Sequence, residues 1–159
     1  MSMLNMFAIV LALHLSLLDT GSSLGGRSSG FFGSPVTITG QNTGATYGAD
    51  QVTNGTFTGN ATGWTLGGGG GAPDWAYASN NVTHGDSGGT TALQPTTPLT
   101  IVAASTYKVT FTLSAWTAGT VTVSLGGTSA TAIGANGTFS LTITATNTAN
   151  LLFTPTTTL

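Results

Sequence analysis

Few residues in this chain have side chains suited to covalent or acid–base chemistry. The densest group is Gly85-Asp86-Ser87-Gly88-Gly89, a glycine-flanked serine of the kind that serves as a nucleophile. Such a serine needs a His general base against it and a buried Asp behind the base. Upstream, the His residues are His84, adjacent in sequence, and His14, inside an apolar terminal run. Neither spacing builds a triad, so the motif reads as a Gly/Ser loop between strands. The acidic residues are Asp19, Asp50, Asp74 and Asp86, with no Glu. A carboxylate pair could act on a sugar, yet Asp74 and Asp86 fall in turn-like segments where Asp is ordinary. His84 is an isolated imidazole, whereas a metal site needs convergent ligands. There is no Cys, hence no thiol nucleophile, thiolate metal site or disulfide. The five-glycine run 67–71 lacks the Lys-Ser/Thr of a phosphate-binding loop. No enzyme is expected from this inventory, and no cofactor or metal.

The aromatic residues Trp64, Trp75, Tyr77 and Trp116 could instead stack on sugar rings. Trp64 lies close to Phe57 and reads as core. Trp75 and Tyr77 alternate on one strand face and serve either role. Trp116 falls in a turn over 115–119 that its own hairpin cannot easily bury. A glycan contact is therefore expected at Trp116, with Trp75 and Tyr77 as further candidates. Asn54, Asn60, Asn81 and Asn136 each open an Asn-x-Thr sequon, a pattern that chance alone produces in so Thr-rich a chain.

The elements that must position these residues are strands. Residues 107–113, 120–125 and 137–146 alternate with period 2, which marks half-buried strands. One face carries Tyr107, Val109, Phe111, Leu113, then Val121, Val123, Leu125, then Phe139, Leu141, Ile143 and Ala145. The other face is Thr and Ser almost throughout. Thr-x-Thr pairs recur, as at Thr110/Thr112 and Thr142/Thr144; a flat Thr array could order water, but Thr is also the ordinary solvent-side residue of a strand with few charges. Gly119, Gly126-Gly127 and Asn136-Gly137 punctuate the runs. Shorter strands are expected at 75–78, 81–84, 91–94, 99–102 and 151–153. The class is all-β, an antiparallel sandwich.

Length and composition narrow the function. The 159 residues suit one domain plus an extension. Charged residues are 4% and the formal charge is −2, so neither nucleic acid nor an anionic membrane surface finds a basic footprint. So neutral a surface suits a chain that lives inside an assembly or carries glycans.

Residues 1–18 are almost wholly apolar. A signal peptide would carry a basic start, and no Lys or Arg precedes Arg27. A membrane span needs about 20 apolar residues, and Asn5, His14, Ser16 and Asp19 interrupt or end this run. Leu11, Leu13, Leu15 and Leu17 alternate with smaller or polar residues, so strand is favoured over helix. Residues 1–19 are read as an anchor against a partner, one that the core of the following module does not call on. Residues 20–34 are a Gly/Ser-rich linker. The expected division is 1–50, anchor segment and linker, and 51–159, β-sandwich.

The run from Val52-Thr-Asn-Gly-Thr-Phe through Gly63-Trp64, Asn81-Val-Thr-His, Tyr107-Lys-Val-Thr-Phe-Thr-Leu and Thr120-Val-Thr-Val-Ser-Leu-Gly-Gly to Gly137-Thr-Phe resembles carbohydrate-binding modules of families 4, 9 and 22. It is most similar to the versions found in bacteriophage structural proteins. The resemblance implies a jelly-roll sandwich over about residues 51–155. In virion members it implies a surface-decorating or receptor-facing module. The expected partners are other capsid or tail proteins, reached through residues 1–19, with a second copy of the chain and a host-surface glycan as further candidates. In enzyme-linked members it implies sugar binding, often with a structural calcium; no acidic residue follows Asp86 here, and none is expected. A secreted or cell-surface carbohydrate-binding module is the alternative. A jelly roll ending at residue 159 lacks its closing strand, and residues 36–39 are expected to pair at the exposed edge, within the chain or across to a neighbour.

Overall fold

The computed structural model describes residues 6–19, 46–67, 74–85 and 89–156, with 6–19 and 46–47 as backbone only. The described residues are all-β, in antiparallel sheets without a helix. The strands in chain order are β1 (Met6–Asp19), β2 (Thr46–Tyr47), β3 (Trp64–Thr65), β4 (Trp75–Ala78), β5 (Asn81–Gly85), β6 (Gln94–Pro95), β7 (Thr106–Ser114), β8 (Val121–Leu125), β9 (Thr128–Ser129), β10 (Gly137–Thr144) and β11 (Leu152–Pro155). The largest sheet has the order β10-β7-β1-β5-β4, with β2 paired to the end of β1. A second sheet has the order β11-β8-β9, and β3 pairs with β6.

The long alternating runs become strands with the expected faces. On β7, Tyr107, Val109, Phe111 and Leu113 are buried, and the Thr, Lys and Ser between them are half-buried. On β8, Val121, Val123 and Leu125 are buried in the same alternation. The outer hydroxyls of β7 and β10 pair across the strands, Thr106 with Thr144 at 3.0 Å and Thr112 with Thr138 at 2.8 Å. These hydroxyls spend hydrogen-bonding capacity on one another, as cross-strand Thr pairs do. The two sheets meet across Phe111 and Phe153, whose rings stand edge-on at 5.3 Å, while Phe139 lies 5.6 Å from Phe111.

The turn between β8 and β9 follows the glycine signal. Leu125 pairs with Thr128, leaving Gly126 and Gly127 as a two-residue loop with φ of 57° and 76°. Positive φ at both positions is the backbone of a type I′ hairpin, whose twist matches that of the strands it joins.

Four expectations are corrected. Strands β7 and β8 do not form a hairpin, since β7 pairs with β10 and β8 with β11. The chain over 115–120 instead crosses from one sheet to the other, turning at Ala115 (φ 53°) and Gly119 (φ 78°). Residues 99–102 make no ladder. The Leu99 N–H donates to Asn150 Oδ1, the Ile101 N–H to the Leu99 carbonyl, and the Val102 N–H to the buried Tyr107 hydroxyl. Local turns and side chains thus satisfy the backbone that a strand partner would have taken. The strand expected at 91–94 shrinks to Gln94–Pro95, with Leu93 bridged singly to Phe153.

The fourth correction concerns the N-terminal run. It is a strand, as its alternation favoured, but it lies inside the sheet of the module. Ile9, Leu15 and Leu17 stand in register with Leu113, Val109 and Tyr107 of β7, and on the other edge Ile9 stands opposite Val82 of β5. The register against β7 slips between Val10 and His14. The expected division at residue 50 therefore has a strand of its first part hydrogen-bonded between two strands of its second. Residues 36–39 lie outside the described residues.

Candidate functional site

The chemistry-bearing residues gather where β4 begins and β5 ends. Register pairs Trp75 with His84, and the loop returning from residue 89 closes over them. The Asp74 carboxylate accepts the Gly89 N–H at 2.7 Å and the Thr91 N–H at 3.2 Å. The Trp75 indole N–H donates to the Thr91 carbonyl at 2.9 Å. His84 Nε2 lies 2.9 Å from the Gly89 carbonyl, and a carbonyl only accepts, so Nε2 carries the proton in this bond. The His84 ring is buried, edge-on to Trp75 at 4.9 Å. Ser87 lies outside the described residues.

This is a clamp on backbone. A general base for a serine works through the nitrogen that lacks the proton, so His84 Nε2, which donates to the Gly89 carbonyl, is not that nitrogen. The Thr91 hydroxyl, then the Gly89 N–H, hold the Asp74 carboxyl below its ordinary value of 3.8, against the opposing effect of burial. A depressed carboxylate pKa contributes stability above the unfolded-state value, lost as pH falls through the folded one. Thermal unfolding should accordingly show a loss of stability below about pH 4 that Asp74→Asn largely removes. The same substitution should lower Tm by a few degrees at neutral pH, because an amide presents only one acceptor oxygen to two N–H groups. Parallel acid titrations of the two proteins would check both. Among the described residues no group of three His, Asp or Glu could hold a metal ion.

The aromatic candidates do not converge. Trp75 is fully buried, with its indole N–H bonded to backbone, and offers no ring face to a ligand; this corrects its place in a glycan platform. Tyr77 follows two residues later on the same strand face and is half-buried against the core. Its hydroxyl donates to Asn80 Oδ1 at 3.2 Å. Trp116 is also half-buried and packs on the core rather than standing free in a hairpin tip. Its indole N–H donates to the Gly119 carbonyl at 3.0 Å, and its backbone N–H to Asn136 Oδ1 at 2.8 Å. The order β7-β1-β5-β4 sets β7, which leads into Trp116, three strand spacings from the strand of Trp75 and Tyr77, about 14 Å. Three of the sequon asparagines are likewise engaged: Asn54 Nδ2 donates to the Thr62 carbonyl, Asn60 Oδ1 accepts the Thr62 N–H, and Asn136 holds Trp116.

What sequence reasoning missed is a cleft of about 450 Å³ lined by Gln51, Thr53, Gly63, Pro95, Thr97, Pro98, Leu99 and Thr100. No charged group faces it. Gln51 Oε1 is buried in its wall with no hydrogen-bond partner among the described residues. Its volume falls in the range of small-ligand sites. The sequence signal was thin, a Pro- and Thr-rich stretch over 94–100 that turns rather than pairs. Set against protein-family models, curated proteins and solved structures, the chain matches none.

Proposed function

We propose that this chain is a non-enzymatic structural protein of a bacteriophage virion. It displays a carbohydrate-binding-like β-sandwich of the jelly-roll type at the particle surface, and residues 1–19 tie it to its assembly. One observation carries the non-enzymatic part of this reading: the Asp74 carboxylate, the Trp75 indole N–H and His84 Nε2 are all bonded to the backbone of residues 89–91. The packing of two antiparallel sheets across Phe111 and Phe153 supports the sandwich. The near-absence of charge supports life inside an assembly. The resemblance along residues 51–155 supports the virion.

The second reading, a secreted or cell-surface carbohydrate-binding module, is favoured by the uncharged cleft over Gln51 and Leu99. Neutral threonines, prolines and a side-chain amide suit a polyhydroxylated, uncharged ligand. One experiment separates the two. Antibody against the chain, gold-labelled and imaged on purified particles, should decorate the particle surface, and mass spectrometry of those particles should recover peptides from residues 1–19. Unlabelled particles, with the chain free in the medium, would establish the second reading instead.

A further inference from the structure

Strand β1 occupies an unusual place. It forms the middle of the largest sheet, hydrogen-bonded to β7 on one edge and β5 on the other. Yet in sequence it precedes every other described strand, and 26 residues separate Asp19 from Thr46. A chain of that length spans up to about 90 Å when extended, against roughly 20 Å across the five paired strands. The segment is therefore long enough to place β1 in its own sheet or in the sheet of a neighbour.

The slot that β1 fills is defined by β5 and β7 of this same chain. Val82 on one side and Tyr107, Val109 and Leu113 on the other stand in register with it. The surface that matches β1 best outside its own module is therefore the identical slot of a second copy. The described surface offers little else for association. Val102, 52% exposed, is the large hydrophobic left outside, so no broad apolar patch is present among the described side chains. No charge lies within residues 1–18 to oppose insertion.

We propose that β1 is exchanged between copies of this chain, each copy completing its neighbour's sheet. The bonds made are the same within one chain and between two, so concentration and the linking segment decide the balance. An effective concentration in the millimolar range for a linked strand makes the self-completed monomer dominant in dilute solution. Copies crowded on a common surface exchange. A repeated exchange in one direction gives a chain of copies; a reciprocal one gives a closed dimer. The exchange needs only a second copy and holds whether or not the assembly is a virion.

The absence of cysteine makes the test clean. Ser16 and Lys108 are register partners, at a Cα separation that a disulfide accepts. Ser16→Cys and Lys108→Cys are made in separate full-length chains of different mass tags. They are mixed, refolded together at concentrations up to about 1 mM, and oxidised. Exchange predicts a mixed disulfide dimer whose share rises steeply with concentration, while either variant alone gives none of that species. The double variant in one chain should shift from internal to intermolecular crosslinks over the same range. A double variant that crosslinks only internally at every concentration, with no mixed dimer, overturns the proposal. The pair Ala8→Cys and Ser114→Cys, also in register, repeats the test at the other end of β1. Failure of both pairs to crosslink in any form overturns it as well, because β1 then does not lie against β7.

Discussion

A chain shortened to begin at Gly21 is expected to lose its cooperative thermal transition and to collect in the insoluble fraction. The reason is where the removed residues sit. Without β1 the largest sheet falls into two pieces, β10-β7 and β5-β4, whose facing edges carry rows of unpaired N–H and C=O groups. On the order of ten ladder hydrogen bonds, each worth about 1 kcal/mol net, disappear. The buried Val82 and the apolar face of β7, from Tyr107 to Leu113, lose a neighbouring strand at the same time. Domains of this size hold only about 5–15 kcal/mol in reserve, so the loss exceeds what the remainder can absorb. Differential scanning calorimetry and the soluble yield check the outcome. A shortened chain that melts cooperatively within a few degrees of the full chain would show that the sheet stands without β1.

The second large effect is expected at the turn between β8 and β9. Gly126→Ala meets two obstacles. Its φ of 57° lies in the left-handed region, where a Cβ costs on the order of 1 kcal/mol. The added Cβ would also run into the Ala145 side chain and lie 2.8 Å from its Cα and 3.0 Å from the Asn147 carbonyl oxygen. The segment over 145–149 cannot simply retreat. The Gly126 carbonyl accepts the N–H groups of Thr146 and Asn147, at 2.7 and 2.9 Å, and the Gly126 N–H donates to the Ala149 carbonyl at 2.9 Å. Overpacking against held backbone adds about 1–3 kcal/mol. The total, about 3 kcal/mol, should lower Tm by roughly 10 °C. Gly59→Ala provides the control: its φ is also positive, at 77°, but its Cβ would meet nothing within 4 Å, so it should cost only the backbone strain. Equal losses at the two positions would show that the contact with Ala145 does not matter.

The parts of the fold legible in the sequence are those fixed by local rules. Alternation over 107–113 and 121–125 names strands and faces because one face is buried and the other bears Thr. Gly126-Gly127 names its turn because both positions need positive φ. Strand partners follow no local rule. Strands β7 and β8 are neighbours in sequence and belong to different sheets, so the hairpin that would have exposed Trp116 does not exist. Residues 99–102 carry strand-forming residues but satisfy their backbone through Asn150 and Tyr107, which lie elsewhere in the sequence.

The candidate site was less legible, for a physical reason. An aromatic ring gains as much from a core as from a ligand, so residue type alone does not separate Trp75, fully buried, from Trp116, half-buried. His84 and Asp74 are drawn into one clamp by the return of the chain at Gly89 and Thr91, partners that no spacing in the sequence designates. The N-terminal run shows the same limit. Its apolar alternation marks a buried strand, but a strand buried against a partner and one buried in its own sheet have the same pattern.

The place of β1 underlies both its expected indispensability and its exchange, and amide hydrogen exchange tests it most directly. Followed by mass spectrometry on the full chain, the peptides covering Met6–Asp19, Asn81–Gly85 and Thr106–Ser114 should be protected together and exchange at one common, slow rate, as the interior strands of one cooperative sheet do. Rapid exchange over 6–19, with Asn81–Gly85 and Thr106–Ser114 still protected, would contradict that place.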